Sequence, residues 1–254
     1  MRKTLCIHPL TGIPLVEPGA DLATLVLDAL AAQDLEPVPG DILVIAQKIV
    51  SKAEGRLVRL ADVQPSKRAF ELADELDKDP RLVELILRES SEIVRTAPGV
   101  IIVRNRQGII GANAGIDQSN IDHRQGECAL LLPDDPDRSA AVLRETLQQR
   151  TKTTLGVIIS DSTNRPWRLG TLGQAIGSAG IRVLDDQRGQ KDLFGRELQV
   201  TVSNRADSIA TAALLVMGET TERVPAALVR GLQPEDSTQV ARDALRPAEE
   251  DLFL

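Results

Sequence analysis

Aromatic side chains are nearly missing from this chain: its 254 residues include one Trp, three Phe and no Tyr, 2% in all. The interior must therefore be built from Leu, Val, Ile and Ala. A base-stacking platform for single-stranded nucleic acid is hard to assemble from so few rings. There is also no block of Lys or Arg, and the formal net charge is −7. Nucleic-acid binders concentrate positive charge to neutralise phosphates, so no nucleic-acid partner is expected. Short anionic ligands stay open, because a few local cations or metal ions hold them against the overall charge. No apolar run approaches a membrane-spanning length, and residues 1–10 carry two basic residues without the apolar run of a signal peptide. A cytoplasmic protein with no membrane partner is the expectation. The two cysteines, Cys6 and Cys128, form no C-x-x-C pair and read as reduced, partly buried thiols. With only His8 and His123, a histidine-rich zinc site is excluded. There is no Gly-Lys dipeptide, hence no P-loop, and no G-x-G-x-x-G.

What is present is ordinary for a soluble globular protein: 42% apolar and 26% charged residues. The run Asp41–Ala46 after Pro39-Gly40 reads as a buried strand. Ser66 caps a predicted helix to about Leu76, and Asp79-Pro80 opens a second with Leu82, Val83, Ile86 and Leu87 on one face. Residues 100–103 and 109–110 read as a hairpin around a turn at 105–108. A helix is expected from about Ser139 to Gln149, then a strand at 155–159 ending on Ser160-Asp161-Ser162. The glycine- and charge-rich stretch 165–195 reads as functional loops, not core. A strand at 198–202 and an amphipathic helix at 207–217, stopped by Gly218, follow. The tail from Gln233 to Glu250 reads as peripheral. Without regular βαβα alternation, the pattern favours an α+β fold, not a P-loop or Rossmann fold.

Carboxylates binding hard cations are the chemistry left open. Asp117, in the small and amide-rich run 113–120, is either a turn residue bonding its own backbone or a ligand. Asp161-Ser162 is either a helix N-cap or an oxygen-ligand pair for Mg²⁺ or Mn²⁺. Glu219, after the helix-stopping glycine, is by pattern alone solvated surface. Lys48 and Lys52 are either solvated lysines or point charges for phosphate oxygens.

Taken in order, residues 12–19 (GIPLVEPG), 49–56 (IVSKAEGR), 113–120 (NAGIDQSN), 158–161 (IISD), 188–197, 217–219 (MGE) and 229–232 resemble the coenzyme F420-0:γ-glutamyl ligase family. The resemblance implies one ligase unit over 1–254, an α+β fold with mixed and antiparallel sheets and flanking helices. It implies two intertwined subdomains with GTP in the groove between them, no fused second enzyme, and a homodimer. It also implies that GTP activates the phospholactyl carboxylate of F420-0 as an acyl phosphate, to which L-glutamate and then γ-linked glutamates are joined. Carried over by position, Asp117, Asp161, Ser162 and Glu219 match metal ligands for Mg²⁺ or Mn²⁺, two ions being expected, with K⁺ a further candidate. Ile13, Pro14, Leu15, Val16, Gln47, Lys48, Lys52, Asn120, Met217, Gly218, Glu219, Thr220, Thr221, Glu222, Arg223 and Val224 match positions lining GTP. Asp117, Asp161 and Lys52 are the expected catalytic groups, and Gly115 and Gly218 are expected to let the backbone approach the nucleotide.

Ser162 stands where the family usually has Thr, and keeps the hydroxyl. Residues 162–168 and 170–174 depart from the commoner spellings. If that loop meets the acceptor, acceptor preference is in doubt, and Trp167 is either a contact to it or a packing residue. Two alternatives stay open: an amide ligase of the same fold acting on another phosphorylated carboxylate, and a nucleotide-binding module without turnover.

Overall fold

The structure, a computed structural model, describes residues 4–124 and 126–251, apart from the Ala248 side chain. The first three residues of the amino-terminal segment read above lie outside it. The chain opens with β1 (Cys6–Pro9), then α1 (Leu22–Ala31), whose N-cap Asp21 accepts a hydrogen bond from the Thr24 N–H. β2 (Ile42–Ala46) runs directly into α2 (Gln47–Ala53). β3 (Leu57–Arg59) leads to α3 (Lys67–Leu76) and α4 (Pro80–Arg88), capped by Ser66 and Asp79 as their sequence signals require. A three-stranded antiparallel sheet follows: β4 (Ser90–Ala97), β5 (Val100–Asn105) and β6 (Ile110–Ala112). β7 (Cys128–Leu130) pairs with β3, and α5 (Pro136–Thr151) comes next. β8 (Gly156–Asn164) and β9 (Thr171–Ala179) form a long hairpin. β10 (Leu184–Asp186) pairs with β11 (Val202–Asn204), and α6 (Arg205–Met217) and β12 (Ala226–Arg230) complete the set.

The largest sheet has the order β1-β12-β2-β8-β9, with β2 and β8 parallel and the other neighbours antiparallel. Its central strands look uniformly apolar in sequence because both faces are covered. Alternation sends Leu43, Ile45, Val157 and Ile159 to one face against α1 and α5, and Ile42, Val44 and Ile158 to the other against α6. A second core joins Leu72 and Leu76 of α3, Val83 and Ile86 of α4, and Ile101 and Val103 of β5. The fold is α+β, as expected.

Several expectations needed correction. β8 continues through Asp161 to Asn164, so this carboxylate sits within a strand and does not cap a helix. α5 begins at Pro136, capped by Asp135, three residues before Ser139. The expected strand at 198–202 is displaced to Val202–Asn204. Residues 165–195 are not all loop: β9 buries Ala175, Ile176 and Ala179. Its glycines are structural, since a Cβ on Gly173 would lie 2.5 Å from the Ala210 carbonyl oxygen and one on Gly177 would run into Pro136. They let α6 and α5 pack tightly on opposite faces of the hairpin. The tail is partly stitched in, with Ala241 buried and Gln239 Oε1 accepting from the Val183 and Leu184 N–H groups. Of the two cysteines expected to be partly buried, Cys6 is exposed and Cys128 fully buried.

Candidate active site

The parallel pairing of β2 with β8 assembles the site. Its register puts Ala46 beside Ser160, so Gln47, where the chain turns helical, comes alongside Asp161. A register shift between β8 and β9 falls between Ile159 and Ser160, immediately before the carboxylate. Such bulges re-aim the following side chain.

α2 is only seven residues long but presents two i,i+4 pairs. Lys48 and Lys52 reach the loop after β6. Lys48 Nζ pairs with Asp117 Oδ2 at 2.5 Å and donates to Ser119 Oγ at 2.8 Å, while Lys52 Nζ donates to the Asn120 carbonyl at 2.8 Å. Gln47 and Ser51 form the other pair. Both are buried, and the Ser51 hydroxyl donates to Gln47 Oε1 at 3.0 Å. Asp117 combines both of its sequence readings. It accepts from the Ser119 N–H at 2.6 Å in a local turn, its backbone bridges to Leu130, and its carboxylate still meets Lys48.

Glu219 is held by the residue after Asp161 and by the start of β9. Ser162 Oγ donates to one of its oxygens at 2.7 Å and Thr171 Oγ1 to the other at 2.9 Å. Asn120 Nδ2 donates to the Thr220 carbonyl at 3.2 Å, tying the 113–120 loop to the 217–224 segment. Within that segment the Thr220 N–H donates to Glu222, Thr221 is exposed, Arg223 adopts a left-handed φ of 56°, and Val224 packs on the sheet. Gly218 takes φ 72° and ψ −177°, a conformation only glycine holds without strain, and faces the Glu222 side chain. Gly115, by contrast, packs on Leu132, since a Cβ there would lie 2.7 Å from Leu132 Cδ1. Ile13, Val16 and Met217 are buried in cores, so only their backbones are available to a ligand. Pro14 and Leu15 are exposed.

The electrostatics differ between the two aspartates. Burial pushes the Asp161 carboxyl up to about 7 and the Asp117 charge adds to this, against the Ser162 N–H, Lys48 and a hydrogen bond from the Gln47 side chain. An edge of Asp161 reaches solvent, but protein atoms surround it closely. Burial acts in the same direction on Asp117, where the Lys48 pair and the Ser119 donors outweigh it and hold the carboxyl below its usual range. Lys52 is lowered by its own burial and by Lys48, with Glu17 and Asp117 opposing.

The fold thus gathers Lys48, Lys52, Asp117, Asn120, Asp161, Ser162, Glu219 and Thr220 around the end of β2. Among the described residues, no three His, Cys, Asp or Glu side chains form a ready-made metal cage. The donors are all hard oxygens, however, and Mg²⁺ commonly takes one or two carboxylates and completes its shell with phosphate oxygens and water. Asp161, pushed up by burial and by the Asp117 charge, is a group whose charge a divalent ion would stabilise. The residues therefore fit a divalent ion that keeps part of its shell open.

Ser51, Ser119 and Thr171 join the site beyond the residues named from the sequence. Ser119 had a signal, lying two residues after a turn aspartate. Thr171 had none, because only β8–β9 pairing brings it to Glu219.

Residues 12–231 match the family model described as F420-0:Gamma-glutamyl ligase. The coenzyme F420:L-glutamate ligase of Methanopyrus kandleri is 45% identical, with 98% of each chain covered. That of Methanothermobacter thermautotrophicus is 46% identical over 95% of this chain and 96% of its own. The Archaeoglobus fulgidus protein of the same name is 41% identical over 97% and 95%. With a family match over most of its length and such relatives end to end, the chain belongs to the F420-0:gamma-glutamyl ligase family and is an enzyme of the ligase class.

Proposed function

We propose that this enzyme uses GTP to join L-glutamate to the phospholactyl carboxylate of F420-0, then adds γ-linked glutamates, releasing GDP and phosphate. The observation that carries the reading is the meeting of the Lys48–Asp117 pair, Asp161 and Glu219 at one strand end. A free carboxylate is a poor acceptor for an amine until one oxygen becomes a leaving group. Transfer of the γ-phosphoryl group to the acceptor carboxylate supplies that leaving group as an acyl phosphate. The glutamate amine then attacks the acyl carbon and phosphate departs. Phosphoryl transfer asks for in-line positioning and positive charge and little covalent help.

Lys48 and Lys52 supply fixed charge to phosphate oxygens, and burial of Lys52 makes an incoming anion its favoured partner. Asn120, the exposed Pro14-Leu15 turn and the 217–224 segment line the nucleotide groove, where Gly218 brings backbone close. Asp117, Asp161, Ser162 and Glu219 would hold Mg²⁺ or Mn²⁺, whose chemistry when bound is to offset charge on the phosphates. Glu219 must exchange one hydroxyl donor for such an ion. In this reading the two cores are two subdomains with the groove between them. The chain pairs with a second copy through the side chains exposed between β8 and β9 and before β11, where Leu169, Leu193, Phe194 and Val200 are 86% or more exposed. A cytoplasmic location agrees with the nucleotide co-substrate, and no helix among the described residues is long and apolar enough to cross a membrane.

The test is GDP release with F420-0, L-glutamate and Mn²⁺, read beside the product mass. GTP binding without glutamate-dependent GDP release would reject the reading.

A further inference from the structure

Gln47 is expected from the family resemblance to line the nucleotide, but its side chain is 2% exposed and already engaged. Its Oε1 accepts from the Ser51 hydroxyl one helical turn later, at 3.0 Å, and Ser51 is fully buried. The parallel register of β2 and β8 sets Gln47 beside Asp161, and its side chain works to lower that carboxyl's proton affinity. A primary amide has one accepting and one donating end. Occupying the oxygen with the Ser51 hydroxyl leaves the NH₂ facing the carboxylate. Without that hydroxyl the amide could flip and turn its oxygen on Asp161, a repulsive contact.

We infer that Ser51 and Gln47 are positioning residues: Ser51 sets the direction of the Gln47 amide, which holds the Asp161 carboxylate in the orientation that receives a divalent cation. Asp161 is then gripped from two sides, by the Ser162 N–H at 2.9 Å and by the Gln47 amide, leaving its remaining lone pairs toward the site. The inference rests on the metal role proposed for Asp161, and its test is separable from that role. Outer donors of this kind typically change metal affinity by about 10–100-fold when removed.

The experiment titrates Mn²⁺ alone into the full-length protein, without nucleotide, and follows free Mn²⁺ by electron paramagnetic resonance. Ser51→Ala should weaken binding about tenfold in a protein that still unfolds cooperatively. Gln47→Met, which keeps the volume and removes the amide, should do the same. The double variant should be no weaker than either single one, because one relay is broken at two points. Wild-type Mn²⁺ affinity in Ser51→Ala, or additive losses in the double variant, overturns the relay and leaves the metal site standing. Should Gln47→Met bind Mn²⁺ normally but raise the KM for GTP, the side chain lines the nucleotide and the relay is wrong. An unmodified protein that binds no Mn²⁺ removes the metal site and the relay with it.

Discussion

Replacing Asp161 by Asn should stabilise the metal-free enzyme at neutral pH while ending its turnover. The carboxyl is pushed from an ordinary 3.8 up to about 7, first by burial and then by Asp117. A folded value raised above the unfolded one means that the native chain binds this proton more tightly. Stability is therefore lost as pH climbs from 3.8 to about 7, and the whole penalty is present above that window. Its ceiling is about 4 kcal/mol, at about 1.36 kcal/mol for each tenfold change in proton affinity. Solvent contact at the edge of the side chain brings the expected gain for Asp161→Asn to about 2–3 kcal/mol at pH 8. Below about pH 4 the two proteins should converge. Urea unfolding of both at pH 4.5, 6 and 8 in chelator gives the curve, and Mn²⁺ added at pH 8 should stabilise the native protein and not the variant. A variant less stable than the native chain at pH 8, or one with full turnover at saturating Mg²⁺, would refute the reasoning.

Arg230 meets the buried Asp41 carboxylate with two hydrogen bonds at 2.9 and 2.7 Å; Arg230→Leu should cost about 3–5 kcal/mol in a urea melt by stranding that charge, and Asp41→Asn added to it should recover part of the loss. Gly173→Ala drives a methyl into the Ala210 backbone of α6, and a destabilisation of about 1–3 kcal/mol or more is expected by thermal or urea unfolding. Asp21, held down to about 2 by Arg150 and by the Thr24 donors, stabilises the fold above its ordinary 3.8 and loses that contribution as pH falls toward 2. Asp21→Asn should flatten this acid limb of the stability profile, an effect kept small by the exposure of the pair.

Local chemistry made much of the fold legible. Ser66 and Asp79-Pro80 announced α3 and α4, the 105–108 turn announced the β5–β6 hairpin, and Gly218 marked the end of α6. The failures share a cause. β9 looks like loop because Gly173 and Gly177 are written for the backbones they pack against, which lie 37 and 41 residues away at Ala210 and Pro136. Asp161 looks like a cap because Ser and Asn follow it, whereas pairing with β9 keeps the chain extended to Asn164. Strand partners of this kind are non-local, and no short window contains them.

The same division runs through the site. Residue types alone set the hard-oxygen character of the donors, the absence of aromatic and P-loop nucleotide devices, and, through motifs spread from residue 12 to 232, the family. Which groups meet, and which charge state burial favours, emerges only on folding. Lys48 finds Asp117 across 69 residues and Ser162 finds Glu219 across 57. Asp161 is hard to ionise because burial disfavours its charge and Asp117 adds to the effect. Residue type sets what a side chain can donate or accept, while burial and partners, which arise only on folding, set what it does.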